Sequence, residues 1–499
     1  MVAAAKAVSM GRKVVVIEKN HEIGGSAWYA TNFITHYSKW HKAAGKPDNR
    51  EKLYKQFESK LGDRVNMKLV RHLFEANSDF VDWMIDTQNL ADDYVLGEGA
   101  VFGPSALVQL TKCPWNDKRI DEMIGPGGSG WLITSKMERY LREHDTPILL
   151  NTAAKQLKLT NDGRVCGVIC ADDGRSITVN SRAVIIASGA FSRSIEIMEK
   201  MQPLFFKEDA EPVHIFTCST CTGDGIRLCE DIGADIDYKN RRVNMFGPKR
   251  HPYPAVSLEI GNGPMFNYEG KRYLEKPGMK EVSALAYDEK RYLWMIVDHD
   301  IAQASMERIS HPEGTMTGLD LGHFVKDWET VLREEAADNS VVIADTLEEL
   351  AEKLNFYKAD FLQQIDDYNR SLAEAIPADD AMQPPMGEAS GTDELDIHKF
   401  LEMMAGGKPK PIQHGPFYAV KQKLFHENAV GGINIDENTN VTKNGAAIPG
   451  LYAAGDTTRG IMVAGDIGVT YIEMVFSALT YAFNSGYIAG TEAANYTVS

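Results

Sequence analysis

The chain has 499 residues, 43% of them hydrophobic and 25% charged, with a formal net charge of -17 at pH 7. That length exceeds what one core usually supports, so at least two domains are expected, and the acidic balance excludes nucleic acid as the main partner. No apolar run reaches the ~20 residues of a membrane helix, and six cysteines are too few for a disulfide framework, which points to a reducing, cytoplasmic setting.

The first element is a small-residue helix, Val2, Ala3, Ala4, Ala5 and Ala7, closed by Gly11. It leads into VVVIEK, Val14 to Lys19, a strand that ends on an acid. Helix, strand and acid form the second half of a dinucleotide-binding unit, whose first half is a strand and a G-x-G-x-x-G turn. Glu18 stands where a carboxylate accepts hydrogen bonds from an adenosine ribose. Gly24 and Gly25, in the next loop, let backbone approach a diphosphate without Cβ interference. On these residues alone, an ordinary packing helix before an edge acid is the competing reading.

Residues from Glu51 to Asn89 carry helical periodicity, and GPGGSG, Gly125 to Gly130, makes a turn before the helix ITSKMERYLREH. From Ile148 the period changes to short alternating strands broken at NDG and DDG, both hairpin signals. The last of them, AVIIASG, is apolar throughout, as in a strand buried on both faces of a parallel sheet. TGDGIRLCEDIGADI, Thr222 to Ile236, is a turn followed by a helix. An irregular stretch rich in Pro, Gly and aromatics follows, then the helices DTLEELAEKLN and ADFLQQIDDYNRSLAEA. Strand texture returns from about Gln422 with GGINIDENTNV and IPGLYAAGD, and the chain closes on TYIEMVFSALTYAFNSGYIAG, a helix from Thr470 to Gly490.

The decisive feature is IPGLYAAGD, an apolar strand that stops at Gly455-Asp456. Free amides at the following helix start, near Val469 to Ile472, are suited to stabilising negative charge on a bound ring system. A strand-acid-Gly-Gly at one end of the chain and a strand-Gly-Asp at the other fit one extended ligand along the carboxyl edge of a single sheet. The domains then parse as a nucleotide domain, 1–237, an insertion, 238–425, and a return to the nucleotide domain, 426–499.

VVVIEKNHEIGGSAWYATN, AVIIASGAFS, TGDGIRLCEDIGA, YEGKRYL, FYAVKQ, AVGGINID and IPGLYAAGD resemble the flavoproteins of the fumarate reductase and succinate dehydrogenase family, in the family's order and over nearly the whole chain. The resemblance implies an α/β fold: a Rossmann-like FAD-binding domain interrupted by an α+β cap, or substrate, domain from about Tyr238 to Phe425. It implies non-covalent FAD, because Ala27, Trp28 and Tyr29 stand where covalent members carry a histidine. By the same resemblance Glu18 binds the ribose, and Lys19, Gly25 and Ser26 line the diphosphate. Thr31 and Asn32 approach the flavin, and Ala154 and Gly189 the adenine side. Asp224 contacts the FAD, Asp456 the ribityl chain, and Thr470 to Ile472 face the pyrimidine edge. Aligned in this way, Met1 follows the third glycine of the phosphate turn, so the expectation is a start inside the unit, truncated of its first strand.

Fumarate-reducing members grip a dicarboxylate with two histidines and two arginines, one arginine relaying a proton. This chain has Lys280 at the relay position, Asn428 for a histidine, with His426 nearby, and Asp466 for the second arginine. An aspartate reverses the sign of a carboxylate contact, so a neutral, phenolic or basic substrate is expected. Four residues are candidates for the chemistry. Lys280 is a proton donor or a solvated lysine, Tyr471 a phenolic acid or a packed ring. His426 is a site or hinge residue, and Asp466 a substrate contact or a turn cap. Cys218 and Cys221 form CSTC, a redox dithiol or half a metal site. Cys229 follows one helix further on, Cys113, Cys166 and Cys170 show no ligand pattern at metal spacing, and no metal is expected.

The expected function is FAD-dependent oxidoreduction at a carbon–carbon bond: hydride transfer from flavin N5 to an activated alkene, or reductive dehydroxylation, with a small-molecule substrate and a separate electron donor or acceptor. The alternatives are dehydrogenation of a ketosteroid-like substrate and a flavin-free, non-enzymatic paralogue.

Overall fold

The computed structural model describes residues 1–30, 33–62, 64–96, 107–109, 129–172, 174–201, 214–215, 217–238, 244–247, 263–273, 290–309, 333, 336–337, 339–375, 410–426, 431–461 and 475–498. Among the described residues the apolar periodicities fold into several buried clusters. In the first, the helix Val2–Ser9 lies along the C-terminal helix Ala478–Tyr496. Their backbones come so close that a Cβ on Gly490 would stand 2.4 Å from the Ala3 carbonyl oxygen, which is why small residues fill both faces. The long helix Met67–Gln88 packs beside them. Asn66 caps it by accepting from the Lys68 and Leu69 amides, and Asn89, at φ 50°, ends it in the left-handed region. Phe33, Phe80 and Phe483 meet edge-on or tilted at its centre, with centroids 5.8–6.0 Å apart.

Against these helices stand two parallel strand pairs. Val16–Ile17 runs beside Ile148–Leu149, and Val184–Ile186 beside Leu451–Ala453. The two hairpin signals are borne out as an antiparallel meander of Thr152–Leu159, Val165–Asp172 and Arg175–Asn180. Gly163 (φ 83°) and Gly174 (φ 78°) sit in its turns.

The second core surrounds the antiparallel pair Tyr292–Val297 and Phe417–His426, with Val341–Ala344, Met265–Phe266, Arg272–Tyr273 and Asn244–Gly247 in the same sheet. His214–Ile215 joins it in parallel with Phe425–His426. The helices Leu347–Leu354 and Lys358–Ala375 cover it with Leu350, Phe361 and Ile365. Asp298 ties this core to the segment entering its central strand: its carboxylate accepts from the Ile301 amide and from the Gln413 and His414 amides. A short ribbon pairs Ile236–Asp237 antiparallel with Gly432–Ile433. Arg459 fastens that ribbon, its Nε 2.9 Å from the Asp237 carboxylate.

One expectation is corrected. The helix read as continuous from Thr470 to Gly490 is broken before Ala478. Ser477 takes a non-helical conformation (φ -58°, ψ 160°), and its hydroxyl accepts the Thr480 amide at 3.1 Å, so it caps a new helix. Among the described residues no helix is long and apolar enough to cross a membrane.

Candidate functional site

The strand Val16–Ile17 delivers Glu18 to its carboxyl end. The Glu18 amide donates to the Leu149 carbonyl at 2.8 Å, and its own carbonyl accepts the Thr152 amide at 2.9 Å, so the backbone is held on the neighbouring strand line. Its side-chain carboxylate accepts the Asn20 amide at 2.8 Å and remains half-buried. Lys19 turns to a different element. Its ammonium donates to Thr222 Oγ1 (2.5 Å) and Asp224 Oδ2 (2.9 Å), and the Thr222 hydroxyl donates to Asp224 Oδ1 (2.8 Å). Burial by itself would raise the Asp224 carboxyl, but the Lys19 ammonium and the Thr222 hydroxyl outweigh it and hold the group below the ordinary carboxylate range. Lys19 and Asp224 are thus one ion pair joining the acid-ended strand to the TGDG turn.

The loop after Lys19 ends in a short 3-10 turn, Gly25–Tyr29. Its two glycines differ. A Cβ on Gly24 would fall 2.0 Å from the Trp28 ring, so Gly24 makes room for that indole. A Cβ on Gly25, at φ 53°, would meet nothing within 4 Å. Gly189 (φ 72°), after the strand Val184–Ile186, would meet only Cys221 Sγ at 3.8 Å, and Gly455 (φ 72°) would meet Ala482 at 3.6 Å. Three glycines in the left-handed region, each following a strand or its loop and each open on its Cβ side, let a ligand approach backbone closely. This suits a long phosphate-bridged cofactor. Ser26 adds a hydroxyl, which accepts the Cys218 amide at 3.3 Å and touches Cys221 Sγ at 3.2 Å. Ala154 lies on the meander strand opposite Cys170 and packs against the same core as Ile186 and Ile226.

The Gly455–Thr457 turn is gripped from behind by the C-terminal helix. The Gly455 amide donates to Ser485 Oγ at 3.0 Å, and the Gly455 carbonyl accepts the Thr458 hydroxyl at 2.8 Å. Because that hydroxyl has spent its proton, the 2.6 Å contact between Thr458 and Tyr481 has the phenol as donor. Burial raises the Tyr481 phenol well above its ordinary range, so it stays protonated and donating. Ser188 completes the frame, accepting the Gly225 amide at 3.1 Å and donating to Thr457 Oγ1 at 3.3 Å. Sequence reasoning missed Thr222, Ser188, Thr458, Tyr481 and Ser485. Tyr481 and Ser485 share one helix face by their spacing of four, but nothing local says that the face meets a turn.

Thr31, Asn32, Lys280, Asp466, Thr470, Tyr471 and Ile472 lie outside the described residues. His426 ends the strand Phe417–His426, and its backbone pairs with Ile215; its side chain also lies outside them. Among the expected cofactor residues, the fold gathers Glu18, Lys19, Gly25, Ser26, Asp224, Gly189, Gly455 and Asp456 at the ends of its parallel strands and their loops.

Comparison with known proteins follows the same outline. The chain is 25% identical to an NADH:acrylate oxidoreductase of Vibrio harveyi over 454 residues, 90% of this chain but 38% of that protein's length. It is 23% identical to a vinyl phenol reductase of Lactiplantibacillus plantarum over 520 residues, 99% of this chain and 94% of that protein. Its fold matches a 3-ketosteroid delta1-dehydrogenase from Sterolibacterium denitrificans with a TM-score of 0.70, at 16% identity, over 99% of this chain and 97% of that one. The FAD binding domain family matches residues 1–465, which sets aside the flavin-free alternative. With acid-ended strand, open glycines and Gly-Asp turn all in place, this chain belongs to the FAD binding domain family of fumarate reductase-like flavoproteins, and its cofactor is FAD.

Proposed function

We propose that this flavoprotein is an oxidoreductase of the CH–CH class that reduces an activated carbon–carbon double bond in a small molecule without paired carboxylates, a phenolic alkene being the preferred class. The observation that carries the reading is Asp466, an acid where fumarate-reducing members hold a carboxylate-clamping arginine. The vinyl phenol reductase is matched over 99% of this chain and 94% of its own length, which supports a phenolic substrate without paired carboxylates. Bound FAD supplies the hydride.

The chain's own residues divide the remaining work. Glu18 holds the ribose; Lys19, Gly25 and Ser26 line the diphosphate, with Gly24 shaping the loop. Ala154 and Gly189 flank the adenine. Gly455 and Asp456 take the ribityl chain, while Thr31, Asn32, Thr470 and Ile472 face the ring. Asp224 acts through Lys19, orienting its ammonium. Residues 238–425 form the cap over the ring, and Lys280 or Tyr471 delivers the proton to the carbon beside the one that receives hydride. His426 and Asp466 contact the substrate.

The test uses protein loaded with FAD and reduced viologen as electron donor. Turnover of 4-vinylphenol at a kcat/KM at least about tenfold above that of fumarate is expected, with Asp466→Arg shifting the ratio toward fumarate. Fumarate as the better substrate, or rapid turnover of a 3-ketosteroid with an artificial acceptor and none of the alkene, would overturn the reading.

A second prediction concerns the turn behind the ribityl chain. Tyr481→Phe keeps the ring and removes the donor to Thr458. FAD affinity should fall by about 2- to 10-fold, the worth of one buried hydrogen bond. Flavin fluorescence titration checks it, and an unchanged Kd would show that the clamp does not reach the cofactor.

A further inference from the structure

We propose that Cys218 and Cys221 form a reversible disulfide that weakens FAD binding, making the C-S-T-C turn a modification site against the cofactor. The inference rests on the assignment of Ser26 and Gly189 to the FAD path made above.

The turn has the right dimensions. The Cys221 amide donates to the Cys218 carbonyl at 3.0 Å, the i to i+3 hydrogen bond of a β-turn. Such a turn holds its end Cα atoms within about 7 Å, and disulfides span about 4.4–6.8 Å. Both residues are free thiols, Cys218 half-buried and Cys221 buried. Spacing alone is common, however, and the second observation is Ser26. One hydroxyl accepts the Cys218 amide and touches the Cys221 sulfur, so it stands between the two cysteines. The same sulfur is the nearest atom to the open side of Gly189, at 3.8 Å from an added Cβ. Backbone bonds join the two turns as well: Arg193 donates to the Cys221 carbonyl at 2.9 Å, and Gly223 to the Ala190 carbonyl at 3.3 Å.

The chemistry is thiol–disulfide exchange with a small disulfide such as oxidised glutathione. The Cys218 thiolate, the more accessible of the two, attacks one sulfur and expels a glutathione thiolate, leaving a mixed disulfide. Cys221 then gives up its proton, attacks the Cys218 sulfur and expels the second glutathione thiolate. Two protein thiols are oxidised to one disulfide, one glutathione disulfide is reduced to two thiols, and the two protons end on the released thiols. Burial pushes the Cys221 thiol up to about 11, which makes Cys218 the first attacker. Closing the bond draws the Cys221 sulfur away from Ser26 and pulls on the Gly189 turn. A ring this short removes little chain entropy, so the bond remains easy to reduce.

The holoprotein is equilibrated in glutathione buffers of rising oxidised fraction, alkylated and mapped by peptide mass, with FAD affinity read in parallel by fluorescence. The expected result is a Cys218–Cys221 linkage whose appearance is accompanied by a rise in the FAD Kd of about tenfold, the loss of one hydrogen bond to a charged group. Dithiothreitol should reverse both, and Cys218→Ser should bind FAD normally in reducing buffer and show no response to oxidation. Mixed glutathione adducts without the internal bond, or the internal bond with an unchanged Kd, would overturn the proposal. Reduced protein that takes up no FAD would instead defeat the cofactor-path assignment, a failure visible before any oxidant is added.

Discussion

Acidification from pH 6.5 to 4 is expected to remove about 3 kcal/mol of folding stability through His36, and a smaller amount in the same direction through His41. His36 is buried under Phe74 and Phe476, with ring centroids at 4.9 and 5.3 Å, and its Nε2 lies 2.7 Å from the Val475 carbonyl. Burial lowers its pKa from 6.5 to about 4, against the opposing pull of that carbonyl. His41 is also lowered to about 4, by burial first, while its Nδ1 accepts the Ser38 amide.

The sign follows from linkage. Above pH 6.5 both histidines are neutral whether the chain is folded or not, and the full stability is present. Between 6.5 and 4 the unfolded chain binds protons that the folded chain refuses, so stability falls as pH falls. Denaturant midpoints measured at half-unit intervals check this. His36→Phe should start less stable, having lost the Val475 contact, yet show a visibly shallower acid slope. Equal slopes in the two proteins would sink the assignment. Val475 directly follows residues 462–474, which carry Asp466, Thr470, Tyr471 and Ile472, so the same contact anchors the chain next to them.

Gly130→Ala is expected to cost about 3 kcal/mol and to lower FAD affinity. A Cβ there would lie 1.8 Å from the Ala27 carbonyl oxygen and 2.9 Å from its carbon. Both are backbone atoms, so no rotamer relieves the overlap and the helix Ser129–Glu143 must withdraw from the turn Gly25–Tyr29. Gly130 also donates to the Ala30 carbonyl at 3.2 Å, a bond lost in the same movement. Gly25→Ala is the control: its Cβ side is open and only the positive φ is strained, about 1 kcal/mol. It should therefore block the cofactor's approach while leaving the fold nearly intact. Thermal unfolding and FAD titration on both variants separate packing from binding. If Gly130→Ala melts with the wild-type protein, the turn is not held by this helix.

Much of this was legible in the residues. The acid at the end of VVVIEK, the hairpin signals NDG and DDG, and the strand that stops at Gly455-Asp456 are local patterns, and each became the element it announced. Period-2 and period-3.6 spacing act through neighbours in sequence, so a sequence alone determines them. FAD itself was not read from these patterns: it is what the resemblance to the fumarate reductase flavoproteins implies, carried by seven stretches in the family's order.

What only the tertiary structure decided was partnership. Lys19 and Asp224 are 205 residues apart, and neither side chain names the other until the TGDG turn is laid beside the first strand. Gly24 and Gly25 look alike in sequence. One accommodates Trp28 and the other is open, because the difference lies in where an indole packs and not in the glycines. Ser477 was hidden inside an apolar run, and its hydroxyl ended the helix reading by capping the next one. Tyr481 reaches Thr458, and Ser26 stands between Cys218 and Cys221, for the same reason. Close packing brings side chains of distant segments into fixed contact, and the choice of contact depends on the whole core at once.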